Sequence, residues 1–384
     1  MKAYLDNSAT TKCSRRAVDL MVKALSEDYG NPSSMHRMGS DAENYVREAG
    51  KKIARTIKAD EKEIIFTSGG TEANNLAILG SAEANKRAGN HIITTAIEHA
   101  SVWQPMKRLE ELGYRVTYLP VDEEGVLSLA ALEEALDEET ILVSVMQVNN
   151  EIGTVEPIAE AAKLVRARAK RALIHVDAIQ SYGKMIVHPK KLDVDMLSVS
   201  GHKIHGPKGS GFLYVRDKTK IKPVLFGGGQ QRGFRSGTEN VPAIAGLGEA
   251  AAEAYENLQE KTDRMYELRD YFIREVTKIK DVTVNGKAGR ESAPHIISVS
   301  VEGIRSEVLL HSLEEKNIYV SAGSACSSNK PSVSRTLEAI GLKKSLLDST
   351  IRFSLCEATT KEEIDYALRA LEEIIPFRRK FIRK

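Results

Sequence analysis

Short apolar runs alternate with stretches of helical periodicity between residues 63 and 200. The runs have the length and the β-branched content of strands, as in EIIFTS, HIITTA, RVTYLP, TILVSVMQV, ALIHVDA and VDMLSVS. Helical patterns lie between them, for example at 71–88 and 157–172. This alternation is typical of βαβ units, so it predicts an α/β domain built on a mostly parallel sheet.

The pattern changes after a long helical stretch rich in Ala, Glu and Leu, which runs from about Val241 to Lys278. Later strand-like runs occur in VTVNG, HIISVSVEG, NIYVSAG and TIRFSL, with helical patterns at 305–316 and 359–375. These elements predict a second, smaller α+β domain. We place the boundary near residue 257, inside the long helical stretch.

Length and composition agree with a two-domain globular protein. The chain has 384 residues, of which 42% are apolar and 28% charged. The formal net charge is only +2, which argues against a dedicated nucleic-acid-binding protein.

The sequence also favours a cytoplasmic protein without a membrane partner. It begins without the apolar stretch of a secretory signal, and no apolar run approaches the length of a membrane span. Cys13, Cys326 and Cys356 are too few and too widely spaced for a disulfide framework or a metal-ligand pattern. We therefore expect a reducing compartment and no metal site.

The segment FTSGGTEANN indicates an anion site. A predicted strand ends at Ser68, two glycines allow a tight turn, and Thr71 with Glu72 opens a helix. Free N–H groups and the positive end of a helix dipole at one spot suit a phosphate. The alternative is an ordinary glycine turn with a capped helix, which this segment taken alone favours.

In LIHVDAIQSYG, Asp177 stands where an apolar strand ends, at the sheet edge where α/β proteins bind ligands. A carboxylate there needs a cation or several hydrogen-bond donors, and Gln180 is close enough to contact the same ligand. The alternative is a helix-capping aspartate.

Lys203, in SVSGHKIHGPKGSG, also follows an apolar strand. A lysine held among apolar or cationic neighbours has a lowered pKa, so its amine can condense with an aldehyde. Ser200 and His202 add donors beside it, whereas an ordinary surface lysine needs no such setting.

Together these motifs call for a ligand with a phosphate, a ring nitrogen that pairs with a carboxylate, and an aldehyde. Pyridoxal phosphate has all three groups, so we predict it as the cofactor. His99, which follows another strand in TTAIEHASV, is a candidate for stacking on its ring and moving protons, although a lone histidine is often structural.

The chain resembles the NifS/IscS-type cysteine desulfurases in ten ordered segments from Tyr4 to Leu355. These are YLDNSATT, GNPSSMH, GGTEANN, EHASV, VNNEIGT, HVDAIQS, SGHKIHGPKG, RSGTEN, SAGSACSS and IRFSL. The resemblance implies a fold-type I pyridoxal-phosphate enzyme with a mostly parallel seven-stranded sheet in its large domain. It also implies a large domain at 15–257, a small domain at 1–14 and 258–384, and a homodimer with each active site at the subunit interface.

The resemblance assigns a role to each site residue. Lys203 would hold the cofactor, Asp177 would pair with its ring nitrogen, and His99 would stack on the ring and transfer protons. The ring's oxygen side would contact Gln180 and Asn150, and Arg352 would hold the substrate carboxylate. The phosphate would be bound by Gly70, Thr71, Ser200 and His202, together with Thr238 of the partner subunit.

Cys326 matches the family's nucleophile, in a loop at about 321–333 rich in Ser, Gly, Asn and Pro. That composition predicts a mobile segment, and mobility suits a thiolate that accepts sulfur as a persulfide and passes it to an acceptor. The sequence departs from the family after IRFSL, where Cys356 and Glu357 replace an expected glycine and arginine.

The resulting hypothesis is a cysteine desulfurase that converts L-cysteine to L-alanine. Its sulfur would supply iron–sulfur cluster assembly, tRNA thiolation or both, through acceptor proteins. The alternatives are a selenocysteine lyase or class V aminotransferase of the same fold, and a degenerate relative that acts only as a scaffold. Cys326 favours the desulfurase over an aminotransferase, and intact Lys203 and Asp177 argue against a scaffold.

Overall fold

The computed structural model describes residues 1–322 and 333–380. Its strands are β1 (Ala3–Tyr4), β2 (Ile64–Thr67), β3 (His91–Thr95), β4 (Arg115–Leu119), β5 (Thr140–Met146), β6 (Leu173–Asp177), β7 (Met196–Ser200), β8 (Gly211–Val215), β9 (Val282–Asn285), β10 (Ile296–Val301), β11 (Ile318–Tyr319), β12 (Ser321–Ala322) and β13 (Thr350–Ser354).

The helices are α1 (Arg15–Ser26), α2 (Arg37–Ile57), α3 (Gly70–Asn85), α4 (Ala100–Glu111), α5 (Leu129–Ala135), α6 (Ile158–Arg168), α7 (Pro189–Leu192), α8 (Val241–Tyr255), α9 (Leu258–Val276), α10 (Ser306–Glu314), α11 (Arg335–Ala339), α12 (Lys344–Leu347) and α13 (Lys361–Arg379).

The main sheet has seven strands in the order β2-β8-β7-β6-β5-β3-β4. Strands β3 to β7 pair in parallel, whereas β8 is antiparallel to both of its neighbours. The mostly parallel sheet predicted from the alternating pattern is therefore confirmed. The strand-like runs did not include β8, because its short GFLYV segment directly follows the glycine-rich loop after Lys203.

Helices cover both faces of this sheet. One buried apolar cluster includes Ile53 and Ile57 of α2 and Leu247 of α8. A second cluster, on α3 and α4, includes Leu76 and Met106. The carboxyl ends of the parallel strands lie between these layers, where open α/β sheets bind their ligands.

The later strands form a separate four-stranded antiparallel sheet in the order β12-β13-β10-β9. Its apolar cluster includes side chains of α9 and α13, such as Phe272 and Leu371, together with Ala3 and Leu5 from the first residues. Strand β1 pairs in parallel with β11. This arrangement supports the predicted second domain, and the boundary near residue 257 stays a prediction.

The single helix expected over 241–278 is two helices. Asn257 adopts a left-handed conformation, with φ 52° and ψ 35°, between the end of α8 and the start of α9. Asparagine tolerates this conformation better than most residues. The helical pattern continues on both sides of Asn257, so the sequence periodicity does not reveal the break between α8 and α9.

Among the described residues, no helix combines the length and the apolar character needed to cross a bilayer.

Close packing of α8 on α2 and α1 generates a stability prediction. A Cβ added at Gly248 would lie 2.6 Å from both the Cα and the Cβ of Ala49 in α2, and the Cα cannot move without moving the helix. Gly248→Ala should therefore force the helices apart and destabilise the protein by about 1–3 kcal/mol. The measurement is the midpoint of thermal unfolding.

Gly246→Ala is the matched control in the same helix. Its Cβ would meet Met21 Cγ at 2.7 Å, part of a flexible side chain that can move aside. Alanine also gains about 1 kcal/mol of helix propensity over glycine, so we expect little loss. Equal destabilisation by the two substitutions would contradict this account of the helix contact.

Candidate active site

A cavity of about 330 Å³ lies at the carboxyl ends of the central strands. It is lined by Ser8, Ala9, Gly70, Thr71, His99, Ser101, Met146, Val148, Asn150, Asp177, Ile179, Gln180, Ser200, His202, Lys203, Ser321 and Arg352. The fold thus brings together at one place ten of the residues named from the sequence: Gly70, Thr71, His99, Asn150, Asp177, Gln180, Ser200, His202, Lys203 and Arg352.

Two of the predicted residues are not part of this lining. Thr238 is exposed and lies outside the cavity. Cys326 lies outside the described residues, as does most of the predicted mobile loop.

The glycine turn shapes one end of the cavity. Gly69 has φ 151°, and helix α3 begins at the next residue. A Cβ on Gly211 of β8 would lie 2.8 Å from Gly69 Cα, so the turn after β2 can approach β8 closely because both residues are glycines. The first N–H groups of α3 have no partner within the helix, and together with the helix dipole they suit a phosphate.

Glu72, in the first turn of α3, does not occupy this anion site. Its carboxylate accepts a hydrogen bond from Ser68 N at 2.8 Å and pairs with Arg235 Nε at 2.8 Å. Burial opposes ionisation, but these contacts outweigh it and lower the pKa of Glu72. The negative charge is therefore compensated by partners outside the cavity lining.

Asp177 ends strand β6 and is only 4% exposed. Its carboxylate accepts hydrogen bonds from Asn74 Nδ2 at 2.8 Å and Ile179 N at 3.0 Å. Burial raises the pKa of Asp177, while these two donors act in the opposite direction. A cationic ring nitrogen would stabilise the ionised carboxylate further.

A polar chain connects Asp177 to His99. The Asn74 amide also donates to Ser101 Oγ at 2.9 Å, and His99 Nδ1 lies 2.8 Å from that hydroxyl. His99 Nδ1 accepts from Ser101 N at 3.1 Å, so the ring proton is on Nε2. Burial lowers the pKa of His99. Asp177 opposes this shift, whereas Lys203, Arg335 and Arg352 act in the same direction as burial.

Asn74 and Ser101 were missed from the sequence. Asn74 lies one helical turn after Gly70, so it shares a face with the start of α3. Ser101 follows His99 by two residues, in a helix that His99 caps. The spacing of Asn74 from Gly70 and of Ser101 from His99 could have suggested both residues. Their role as hydrogen-bond partners of Asp177 and His99 becomes visible only in the fold, where β6 lies beside α3.

Lys203 follows β7 in a short 3₁₀ turn at Gly201–Lys203. Its ammonium donates hydrogen bonds to the main-chain carbonyls of Ser8, at 2.5 Å, and Ala9, at 2.8 Å. Its own carbonyl accepts from the buried Lys184 Nζ at 2.6 Å. Burial lowers the pKa of Lys184 to about 8.

Gln180 is held from both sides. Its amide donates to Ser8 O at 3.1 Å, and His295 Nε2 donates to its oxygen at 3.2 Å. Burial lowers the pKa of His295 well below its usual value, so this contact comes from a neutral ring. His295 lies just before β10, so the second sheet contributes a residue that orients a cavity side chain.

Arg352, in β13, brings a guanidinium from the second sheet to the cavity. Nη2 pairs with Asp6 Oδ1 at 3.1 Å, and Nη1 donates to Asn150 O at 2.8 Å. Arg352 Nε and Ser8 Oγ, both from residues that line the cavity, are among the buried side-chain atoms for which the described residues provide no hydrogen-bond partner. Buried polar atoms rarely remain unpaired, so both are available to a bound molecule.

Comparison with known proteins agrees with this architecture. The Aminotransferase class-V family matches residues 3–367. The chain is 46% identical over 375 residues to the protein named cysteine desulfurase IscS of Dictyoglomus turgidum, covering 97% of this chain and 94% of the relative. It is 42% identical over 380 residues to cysteine desulfurase IscS of Clostridium botulinum, covering 98% and 95%.

Solved structures give the same result. A NifS-like protein superposes with a TM-score of 0.93 at 40% identity, covering 98% of this chain and all of that one. The NifS-like protein of Rickettsia africae gives a TM-score of 0.88 at 30% identity, covering 98% and 100%.

The fold and the site therefore define a class V aminotransferase-type enzyme, a family that depends on pyridoxal phosphate. Within that class, the chain belongs to the IscS and NifS cysteine desulfurases. The predicted fold class and the resemblance seen in the sequence motifs are confirmed.

The glycine turn generates a prediction about cofactor affinity. A Cβ on Gly70 would lie 2.2 Å from Ile179 Cδ1. Gly70→Ala should displace Ile179, which lines the cavity, and weaken binding of pyridoxal phosphate by at least about tenfold, or 1.4 kcal/mol. Titration of the cofactor-free protein with pyridoxal phosphate measures the affinity.

Ile179→Ala in the Gly70→Ala background removes the clashing methyl group and should recover most of the affinity, with Ile179→Ala alone as the control. An unchanged affinity in Gly70→Ala, or a double variant no better than the single one, would show that this contact does not shape the site.

Proposed function

We propose that this chain is a pyridoxal-phosphate-dependent cysteine desulfurase that converts L-cysteine to L-alanine and leaves the sulfur on Cys326 as a persulfide. The observation that carries the proposal is the convergence, in one cavity, of an anion-binding turn, Asp177, Lys203 and Arg352. These four features lie far apart in the sequence, and each suits a different group of the cofactor or the amino-acid substrate.

The residues present fit the cofactor. The helix start at Gly70, together with Thr71, Ser200 and His202, would hold the phosphate. Asp177 would pair with the ring nitrogen, while Asn150 and Gln180 would contact the ring's oxygen side. Gly69 has no side chain, and among the described residues a Cβ there would have only Ser200 Oγ nearby, at 3.8 Å, so the turn leaves open space for a ligand. Ser8 Oγ, which is buried without a partner in the described chain, could bind a polar group of that ligand.

His202 would act there as a neutral donor. Burial lowers the pKa of His202 to about 4, and the neighbouring Lys203, Lys208 and Lys184 act in the same direction. Its Nδ1 lies 3.2 Å from Thr10 Oγ1, which leaves Nε2 for the phosphate.

When bound, pyridoxal phosphate supplies an electron sink for the bonds at the substrate's Cα. Lys203 would hold the cofactor in the resting enzyme, then remove and return the proton at the substrate's Cα. Arg352 would fix the substrate carboxylate, since its guanidinium already lies in the cavity with Nε unpaired. His99 would offer its Nε2 proton beside the ring.

Cys326 would complete the reaction. Its thiolate attacks the sulfur of the bound cysteine, so the substrate's Cβ–S bond breaks and an S–S bond forms. The substrate's Cβ gains a proton, and L-cysteine plus the Cys326 thiol become L-alanine plus the Cys326 persulfide. A class V aminotransferase has no use for such a thiol, which is why the desulfurase is favoured over it.

The active unit we propose is a homodimer, in which Thr238 of each subunit reaches the partner's phosphate site. Several large apolar side chains are exposed on the single chain, among them Met35 and Phe226, at 104% and 84%. Exposed apolar side chains of this size often mark a protein–protein interface, so they support a surface that the partner subunit covers in the homodimer. The persulfide would pass to an acceptor protein, such as an iron–sulfur scaffold or a tRNA-thiolation enzyme. The cytoplasmic location of the enzyme stays a prediction.

Replacement of Lys203 tests the assignment of the cofactor lysine. Lys203→Ala should lose both the visible absorbance band of the lysine-bound cofactor and alanine formation, because the amine that would hold the cofactor is removed. Lys208→Ala, an exposed lysine of the same loop, is the matched control and should retain both. A retained band in Lys203→Ala, or borohydride trapping of the cofactor on another peptide, would contradict the assignment.

Replacement of Cys326 tests the sulfur-transfer step. Incubation of the protein with L-cysteine should yield alanine and protein-bound sulfur in equal amounts, and Cys326→Ala should keep the yellow cofactor but transfer no sulfur to an acceptor. Cys13→Ser controls for thiol loss in general. Undiminished transfer by Cys326→Ala would refute the role of this cysteine, whereas a keto acid with aminated cofactor would indicate an aminotransferase.

A further inference from the structure

A cluster of three metal-ligand side chains lies behind the catalytic lysine, apart from the cavity lining. His205, two residues after Lys203, meets Cys356 and Glu357, which follow strand β13. One ligand atom from each residue lies within 4.8 Å of the other two, and His205 Nε2 is 3.2 Å from Glu357 Oε2. All three side chains are partly exposed, so an ion can enter from solvent.

The orientation of His205 is fixed by a contact on its far side. Nδ1 lies 2.9 Å from the carbonyl of Lys12 and must donate to it, so Nε2 is the nitrogen that points toward the cluster. Histidines that bind metals usually donate their other N–H to a carbonyl or carboxylate in this way. The backbone N–H of Cys356 is likewise held by Thr359 Oγ1 at 3.0 Å.

We propose that His205 Nε2, Cys356 Sγ and a Glu357 carboxylate oxygen form a binding site for a thiophilic divalent transition-metal ion of the Zn²⁺ type. One nitrogen, one sulfur and one oxygen donor suit Zn²⁺ or Co²⁺, whereas Mg²⁺ and Ca²⁺ prefer oxygen ligands alone. Solvent would supply the fourth ligand.

The cluster needs little rearrangement to bind an ion. Tetrahedral Zn²⁺ with bonds of about 2.0–2.3 Å places its ligand atoms roughly 3.3–3.6 Å apart. The nitrogen–oxygen pair, at 3.2 Å, is just short of this separation. The sulfur lies within 4.8 Å of both atoms, so a small movement of the Cys356 side chain would complete the ligand set. Three ligands from two parts of the chain would also connect the loop after Lys203 to the second sheet.

A metal ion would have to replace the hydrogen bonds that His205 makes with Cys356 and Glu357 in the absence of metal. Burial opposes protonation of His205, but hydrogen bonds to Cys356 and Glu357 outweigh it and raise the pKa of His205 to about 10. The same imidazolium lowers the pKa of Glu357 to about 2, against the effect of burial. Metal binding therefore displaces the Nε2 proton of His205 into solvent. The buried Lys184 interacts electrostatically with both Cys356 and Glu357 and adds a positive charge that the ion must tolerate.

Titration of chelator-treated, cofactor-loaded enzyme with Co²⁺ tests the site directly. We expect one Co²⁺ per chain, with a thiolate-to-cobalt charge-transfer band and the visible bands of tetrahedral coordination, and displacement of both by Zn²⁺. Zn²⁺ should also raise the midpoint of thermal unfolding, because the ion binds the folded chain. Neither measurement depends on desulfurase activity, so failure of the proposed function leaves this test intact.

Variants identify the ligands. Cys356→Ser should abolish the thiolate band and weaken Zn²⁺ binding by at least about 100-fold, more than loss of an outer-shell contact. Cys326→Ser and Cys13→Ser are the matched controls and should keep the band. Glu357→Gln, which preserves side-chain shape, should weaken binding by at least about tenfold, and unchanged cofactor absorbance confirms that each variant is folded.

Three results would overturn the proposal. They are a thiolate band that persists in Cys356→Ser, a band that disappears instead in Cys326→Ser or Cys13→Ser, and wild-type enzyme that binds no Co²⁺ or Zn²⁺ in stoichiometric amount.

Discussion

A buried carboxylate sets the main constraint on this structure. Asp177 is 4% exposed at the end of a central strand, and an ionised group there is stable only with donors on its oxygens. Asn74 must therefore lie at one face of α3, and its amide in turn fixes Ser101 and the tautomer of His99. One chain of hydrogen bonds therefore connects the end of β6, through α3, to the ring of His99.

The second sheet belongs to the site as much as the first. Arg352 reaches the cavity from β13, and His295, just before β10, orients Gln180. Ser8, from the segment that joins the two sheets, accepts hydrogen bonds from both Lys203 and Gln180. A shift of one sheet relative to the other would therefore move the substrate-binding and cofactor-binding groups apart, which suits a reaction that depends on their alignment.

Much of the fold and of the site could be predicted from the sequence. Hydrophobic periodicity, and a polar residue at the end of an apolar strand, are both visible in a short stretch of sequence. Asp177 and Lys203 were recognisable as polar residues that follow apolar strands. Asn257 was not, because a single left-handed residue leaves the helical pattern intact on both sides. His205 and Cys356 gave no metal-ligand spacing either, since only the folded chain brings residues so distant in sequence to one place. Contacts between helices, strands and loops bring such residues together, and the sequence pattern alone does not show which elements will be in contact.

The pairing of the first strand has a consequence for biosynthesis. Strand β1 pairs with β11, and Ser8 N bonds to Ser354 Oγ across 346 residues of sequence. A ribosome therefore releases the segment that supports Lys203 long before its partners exist. The large sheet can assemble during translation, but the contact between Ser8 and β13 forms only after Ser354 has emerged. Such distant contacts slow folding, so a nascent chain would hold a nearly complete sheet with an unfinished active site.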